Sequence, residues 1–404
     1  MNKVQFFNVH LGNSQVVMKR EQNIIHNTIR LVLLSILCVN SLNGQKELED
    51  IFTLHPNKKA VARDSTLYPS RLIIAPVIAY TPETSFGFGV GSKFLFKFKG
   101  SGEETRTSNM PVSLKYTLKN QFIFYSGYTV FANQEKWVLF GDVKFQNYPR
   151  SFYGIGINTQ KSSEETYSYF QLSAQPLLMK RLFVKYFFAG VGMRINHIYN
   201  VKTKENGILE TLDPLGYQGN TSRGLVVGGL YDSRNNILNP TQGMYILLTH
   251  GFYGRFSPEA YNFKLTNIDL RYYTRVSRKN DDVFACQVLG YFTDGTVPFS
   301  DFALLGGPNI MRGYKEGRYV EDNMVATQFE YRKRIKKSRW GVVGFVGFGT
   351  VFHLPKEIQL NEIKPSVGIG LRYMIDSKEK LNLRFDWGFG ENTNNTYLGI
   401  AEAF

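Results

Sequence analysis

The stretch Gly306, Gly307, Pro308, Asn309, Ile310, Met311, Arg312, Gly313, Tyr314, followed by Glu316, Gly317 and Arg318, sets glycines on both sides of one arginine. Glycine adopts backbone conformations closed to other residues, so this spacing predicts tight turns that present Arg312 at a fixed place. A guanidinium held in this way can grip a carboxylate through two parallel, charge-assisted hydrogen bonds. Composition alone also fits a plain outer loop carrying an exposed arginine. Hydrolytic and group-transfer chemistry finds less support, because the chain has no GxSxG elbow, no HExxH and no phosphate loop. His55, His197, His250 and His353 show no telling spacing. Gly87-x-Gly89-x-Gly91 and Gly368-x-Gly370 read as small strand residues rather than nucleotide loops. The cysteines are Cys38 and Cys286. Leu37 stands before Cys38, where lipoprotein processing requires a small residue, and Cys286 alone builds neither a disulfide framework nor a metal pair. The sequence therefore predicts neither an enzyme nor a metal or cofactor site.

The elements that must position Arg312 are strands. Leu381, Leu383, Phe385, Trp387 and Phe389 alternate with Asn382, Arg384, Asp386, Gly388 and Gly390. Successive strand side chains point to opposite faces, so one wall is apolar and the other polar or small. Phe86, Phe88, Val90, Phe94, Phe96 and Phe98 likewise oppose Ser85, Gly87, Gly89, Gly91, Lys93, Lys97 and Lys99. Turning that strand over would set lysines against lipid at roughly 2–4 kcal/mol each near mid-membrane. Little helical periodicity remains to cover so many apolar faces, and a sheet spans a membrane only by closing on itself. Sixteen such segments run from residue 70 to residue 404: 70–81, 84–99, 108–118, 120–132, 135–147, 165–179, 182–198, 222–234, 243–255, 261–276, 282–293, 322–335, 340–353, 364–376, 380–390 and 396–404. The even count suits a single-chain bacterial barrel. The prediction is an all-β, 16-stranded antiparallel transmembrane β-barrel. In 282–293 and 222–230 either face fits outward, and Gly154 and Gly156 fit a strand or a loop. The longest connection, Asp294 to Asp322, carries Arg312, and loops of that length are commonly functional.

Ile29 to Val39 form a short apolar run with Lys19, Arg20 and Arg30 near or before it and small or polar residues after it. This is the plan of a secretory signal peptide over residues 1–44, too short for a spanning helix. Met18 is the better start, which makes 1–17 an upstream extension. Residues 45–69 are too few for a folded domain and read as a short periplasmic tail or plug, with the barrel at 70–404. The net charge of +15 is spread through strands and loops. It fits lumen positions and anionic lipid head groups better than the compact positive patch that nucleic acid requires.

The glycine-flanked arginine loop resembles the inward-folded sixth loop of the BamA/TamA superfamily, the bacterial surface antigen family of outer-membrane assembly and translocation barrels, marked by Arg-Gly-Tyr or Arg-Gly-Phe. Two further stretches agree in order. Tyr231, Asp232, Ser233, Arg234 and Asn235 with Asn239, Pro240, Thr241, Gln242 and Gly243 resemble the family's hairpin signature. Glu330, Tyr331 and Arg332 resemble the Glu-Tyr-Arg of the strand after the long loop. The resemblance implies that Arg312, with Gly313, Tyr314, Gly306 and Gly307, folds into the lumen as a latch held by acidic wall residues. Glu330 and Asp386 face the lumen by parity, with Arg332 beside them. Where the family has Phe-x-Asp-x-Gly, this chain reads Phe345, Val346, Gly347, Phe348, Gly349, so Asp386 must substitute for the missing carboxylate or the latch is weaker. Tyr397, Gly399 and Phe404 resemble the C-terminal signal read by assembly machinery, although Glu402 stands where that signal often has an apolar residue.

The resemblance further implies an outer-membrane location in a Gram-negative bacterium and a role in inserting or translocating proteins or lipid-linked clients. The partners it implies are outer-membrane lipids, client outer-membrane proteins and a separate periplasmic accessory protein that supplies the substrate-binding domains which family members carry before the barrel. The alternative is a passive channel or structural barrel without insertase activity.

Overall fold

The computed structural model describes residues 70–404 apart from 103–104, 255–260, 277–281, 336–337 and 378–379. The expected signal peptide (1–44) and the tail or plug (45–69) lie outside the described residues. The chain forms a closed 16-stranded antiparallel β-barrel. Its wall runs β1 (Arg71–Thr81), β2 (Ser85–Phe96), β3 (Ser108–Thr117), β4 (Phe122–Phe131), β5 (Trp137–Phe152), β6 (Glu165–Ala174) with β7 (Leu177–Arg181), then β8 (Phe187–Lys202), β9 (Asn220–Asp232) and β10 (Gly243–Tyr253). It continues through β11 (Phe263–Arg275), β12 (Val283–Gly295), β15 (Asn323–Arg334), β16 (Trp340–Phe352), β17 (Lys364–Asp376), β18 (Leu381–Gly390) and β19 (Thr393–Ile400). β6 and β7 are two halves of one wall strand, since both pair with β5 and both with β8. The missing numbers belong to a small hairpin inside the long loop, β13 (Ala303–Leu305) with β14 (Tyr319–Glu321).

The alternation of side chains sets which face meets lipid. Ile74, Phe88, Val90, Ile369 and Trp387 lie on the exposed outer face, while Asp386, Arg384 and Arg372 are buried on the inner one. The two ambiguous segments are settled by the same rule. Phe284 and Val288 point out while Ala285 and Gln287 point in, and Leu225 and Val227 point out while Val226 and Leu230 point in. Gly154 and Gly156 sit in a loop at φ near +105° and +103°, and Gly156 N–H donates to Val320 O at 2.8 Å. Connections at one end are longer, including 153–164, 203–219, 296–322 and 353–363. In single-chain barrels that end faces outward and the short turns face the periplasm.

Three strand limits differ from the sequence reading. β5 extends past the expected limit at 147 to Phe152, which pairs with Glu165, with Pro149 inside the strand; its inner face packs Tyr148 and Phe152 against Tyr167, Tyr169 and Phe299. Residues 182–186 are a turn, so the strand expected at 182–198 runs Phe187–Lys202. The last strand begins at Thr393 and stops at Ile400 instead of reaching Phe404. Ala401 adopts φ +73° and donates its N–H to Asn382 O at 2.8 Å. The chain then turns into the lumen, where Phe404 packs against Tyr273 and Ala285.

Closure is uneven. β1 shares eleven register partners with β2, but on its other edge it meets β19 at the single pair Tyr80↔Leu398.

Candidate functional site

The loop between β12 and β15 folds inward. β13 and β14 hold its stem together, and Leu305, Met311, Tyr314 and Tyr319 pack with Met324, Ala326 and Val351 of the wall. Gly313 has φ +116°, and a Cβ there would lie 2.6 Å from Phe389 main-chain carbon. Gly388 answers it from β18, where a Cβ would lie 2.6 Å from Arg312 main-chain carbon and oxygen. Only a pair of glycines lets the loop backbone lie directly on the wall at this point.

Arg312 has a side chain with no exposed surface. Its Nη1 donates to Asp386 Oδ2 at 2.7 Å and its Nη2 donates to Glu330 Oε1. Its guanidinium carbon lies 3.6 Å from the centroid of the Phe345 ring, so the Phe of the departing Phe-Val-Gly-Phe-Gly stretch forms an aromatic floor, and Asp386 is the second carboxylate. Asp386 Oδ1 also accepts from Arg372 Nη1 at 2.5 Å, and Arg372 Nε donates to Glu402 Oε2 at 2.7 Å. Glu402 Oε2 lies 3.9 Å from Arg332 Nε, which donates to Glu330 Oε2 at 2.7 Å. Three arginines and three carboxylates thus alternate around a closed ring. A fourth arginine, Arg384, lies 3.7 Å from Asp386 and donates to Asn309 Oδ1 at 3.2 Å.

The backbone of the tripeptide is held as closely. Tyr397 hydroxyl accepts from Gly313 N–H at 3.1 Å and donates to Tyr314 O at 2.7 Å, and Asn395 Nδ2 donates to Gly313 O at 2.6 Å. Both side chains come from β19. Ser366 Oγ donates to Arg312 O at 2.8 Å, and Tyr314 hydroxyl donates to Pro365 O at 2.8 Å. Gly307 N–H donates to Tyr314 O at 3.1 Å, and Gly306 has φ +111° in the same turn. At the outer end, Glu83 in the β1–β2 turn accepts from Glu316 N–H at 2.6 Å. Burial pushes the Glu83 carboxyl above the usual carboxylate range.

The structure therefore brings Arg312, Gly313, Tyr314, Glu330, Asp386 and Tyr397 together, with Arg332 one step away through Glu330. The other residues singled out in the sequence lie elsewhere. Asp232 accepts from Arg234 Nε at 2.8 Å and from Arg106 Nη1 at 3.0 Å, and Asn235 Oδ1 accepts from Thr241 N–H beside Pro240. Gly243 has φ +110°, where a Cβ would meet Ser233 O at 2.3 Å. These residues shape a turn at the short-connection end. Gly399 follows Leu398 on β19, and Phe404 lies in the lumen rather than on a strand end.

Sequence reasoning did not assign Arg372 or Glu402 to the site. Parity with Gly368 and Gly370 puts Arg372 on the lumen face but names no partner for it. For Glu402 the signal was the charge itself, which is out of place in an apolar end and is matched here by Arg372 and Arg332. His197 and His250 each contact a threonine through Nδ1, Thr221 and Thr266, both at 2.8 Å. Glu321, Asp322 and His353 offer ligand atoms within 4.8 Å of one another at the long-loop end, where His353 Nδ1 meets Asp322 Oδ2 at 2.5 Å.

Residues 87–404 match the family model of the Omp85 superfamily domain. Among solved structures the chain is similar to BamA from Haemophilus ducreyi lacking POTRA domains 1-3, at 14% identity and a TM-score of 0.54, over 82% of this chain and 70% of that one. It is similar to CdiB from Acinetobacter baumannii at 13% identity and a TM-score of 0.54, over 83% and 66% of the two chains. CdiB from Escherichia coli gives 10% identity and a TM-score of 0.52, over 83% and 67%. At such identities the likeness is one of fold. No curated protein matches the chain.

Proposed function

Because this chain belongs to the Omp85 superfamily and is an outer-membrane β-barrel, we propose that it assists insertion or translocation of polypeptide or lipid-linked clients at the outer membrane. The observation that carries this reading is the coupling of the loop to an under-paired seam. β1 meets β19 at one register pair, so among the described residues most of its free edge lacks a register partner. Unpaired backbone N–H and C=O groups are costly in hydrocarbon, and an edge of this kind is a template for an added strand. A client strand that pairs there gains hydrogen bonds that β19 does not supply along most of β1.

The loop bears on the same place. Tyr397 and Asn395 belong to the seam strand, and their side chains hold Gly313 and Tyr314. A docked loop braces β19 from inside. An undocked one removes three hydrogen bonds from it and leaves the seam to its single pair. Arg312 sets the balance through Glu330 and Asp386, and an accessory periplasmic protein would deliver clients to the turn-side end.

A structural barrel without insertase activity is the second reading, favoured by the buried charge ring, which stiffens a wall as readily as it latches a loop. Client insertion into liposomes separates the two. Acceleration by the wild type that is lost in a folded Arg312→Ala variant supports the insertase. No acceleration by a folded wild type, with periplasmic extract present, supports the passive barrel.

A further inference from the structure

The turn-side mouth of the barrel holds a cavity of about 70 Å³ between the ends of β15, β16, β17 and β18. Arg332, Arg334, Arg339, Arg372 and Lys380 line it, and Glu402 is the one carboxylate on its wall among the described residues. Two of these arginines are built into the fold with donors left over. Arg332 commits Nε to Glu330 and Nη2 to Phe404 O at 3.0 Å. Arg372 commits Nε to Glu402 and Nη1 to Asp386 and Leu371 O. Arg332 Nη1 and Arg372 Nη2 are buried without a hydrogen-bond partner among the described residues, on side chains only 7% and 5% exposed.

Buried donors are nearly always satisfied, and leaving a charged one unmet is expensive. The group that fits is an oxyanion with several acceptor oxygens. Guanidinium forks match phosphate in geometry and charge. Size agrees as well: a water needs roughly 10–15 Å³ of such volume, so the cavity of about 70 Å³ takes about five water-sized groups, enough for a tetrahedral phosphate. We infer that this mouth pocket binds a phosphate group, either free or as the head group of an anionic phospholipid in the adjoining leaflet. Trp340 lines the same pocket and is 48% exposed on the outer face, its ring 4.9 Å from that of Tyr373. A phospholipid seated there keeps its chains on the lipid side while its phosphate reaches the arginines. Glu402 shares those arginines and therefore competes with the ligand. This inference does not depend on the insertion reading.

Trp340 reports directly on the site once Trp137→Phe and Trp387→Phe make it the sole tryptophan. The folded full-length protein in neutral detergent is titrated with inorganic phosphate at constant ionic strength, with chloride as the control. A second arm uses short-chain phosphatidylglycerol against phosphatidylcholine. A saturable change in emission is expected, weakened at least tenfold by Arg339→Gln with Lys380→Gln and tightened severalfold by Glu402→Gln, with heat-modifiable gel mobility confirming each fold. A response to inorganic phosphate supports a free-anion site, and a response to phosphatidylglycerol alone supports a lipid head-group site. No response in either arm, a response that chloride reproduces, or one that the Arg339/Lys380 double variant leaves unchanged overturns the inference.

Discussion

Tyr397 and Gly313 lie 84 residues apart and share a hydrogen bond of 3.1 Å in which the hydroxyl of the last strand accepts the N–H of the loop. The same hydroxyl donates to Tyr314 O at 2.7 Å, so one phenol ties the loop tip to the strand that closes the barrel. Tyr397→Phe keeps the ring and strips both bonds. The Gly313 N–H is then left buried without its partner, at about 1–3 kcal/mol, while Tyr314 O keeps Gly307. The expected result is a faster rate of labelling at a cysteine placed at Asn309, with barrel mobility on gels unchanged.

Arg312→Ala removes one member of the charge ring. Breaking a buried pair costs about 3–5 kcal/mol when a charge is left alone. Glu330 keeps Arg332 and Asp386 keeps Arg372, so the loss should sit at or below the lower end, about 3 kcal/mol. Arg312→Lys retains the charge but lacks the planar fork that spans two carboxylates, and should fall between wild type and Arg312→Ala. The temperature at which the heat-modifiable band converts gives the order.

Gly388→Ala tests the seat of the loop without touching any charge. The added Cβ would stand 2.6 Å from Arg312 main chain, a contact that a packed wall cannot relieve cheaply. Overpacking of this kind costs about 1–3 kcal/mol, charged here to the docked loop alone. Limited trypsin digestion should cut after Arg312 or Lys315 in the variant under conditions that leave the wild type intact.

His353 and Asp322 form a link between two outer connections, and the hydrogen bond to Asp322 raises the imidazole above its ordinary value. A histidine raised in the folded state adds stability that is complete below its unfolded value of about 6.5 and is lost as pH rises through the folded value. Asp322→Asn should lower the His353 midpoint in an NMR titration and flatten this pH dependence. The group is largely exposed, so the effect on global stability is small.

The wall of the barrel was legible because each strand repeats the same decision between lipid and lumen. Phe86, Phe88 and Val90 against Gly87, Gly89 and Gly91 can be read in only one way. Glu330 and Asp386 were likewise legible, by parity on strands whose outer faces carry Tyr331 and Trp387. The rest depends on contacts that no local pattern contains. Glu83 meets Glu316 across 233 residues, and Tyr397 belongs to the loop site although its neighbours read only as a strand end. The departure of Ala401 from the last strand was hidden for the same reason. Glu402 finds Arg372 and Arg332, and these three residues come together only in the closed barrel.

If clients enter through the seam between β1 and β19, a reversible covalent lock across that seam must stop insertion. Tyr80 and Leu398 are the directly opposed pair, at the Cα separation of roughly 4.5–5.5 Å found across antiparallel strands, within disulfide reach. Cysteines at both positions, with Cys286→Ala, should give a barrel that accelerates client insertion into liposomes when reduced, stops when oxidised and recovers with reductant. An oxidised barrel that inserts clients as fast as the reduced one would mean that the seam is not the route.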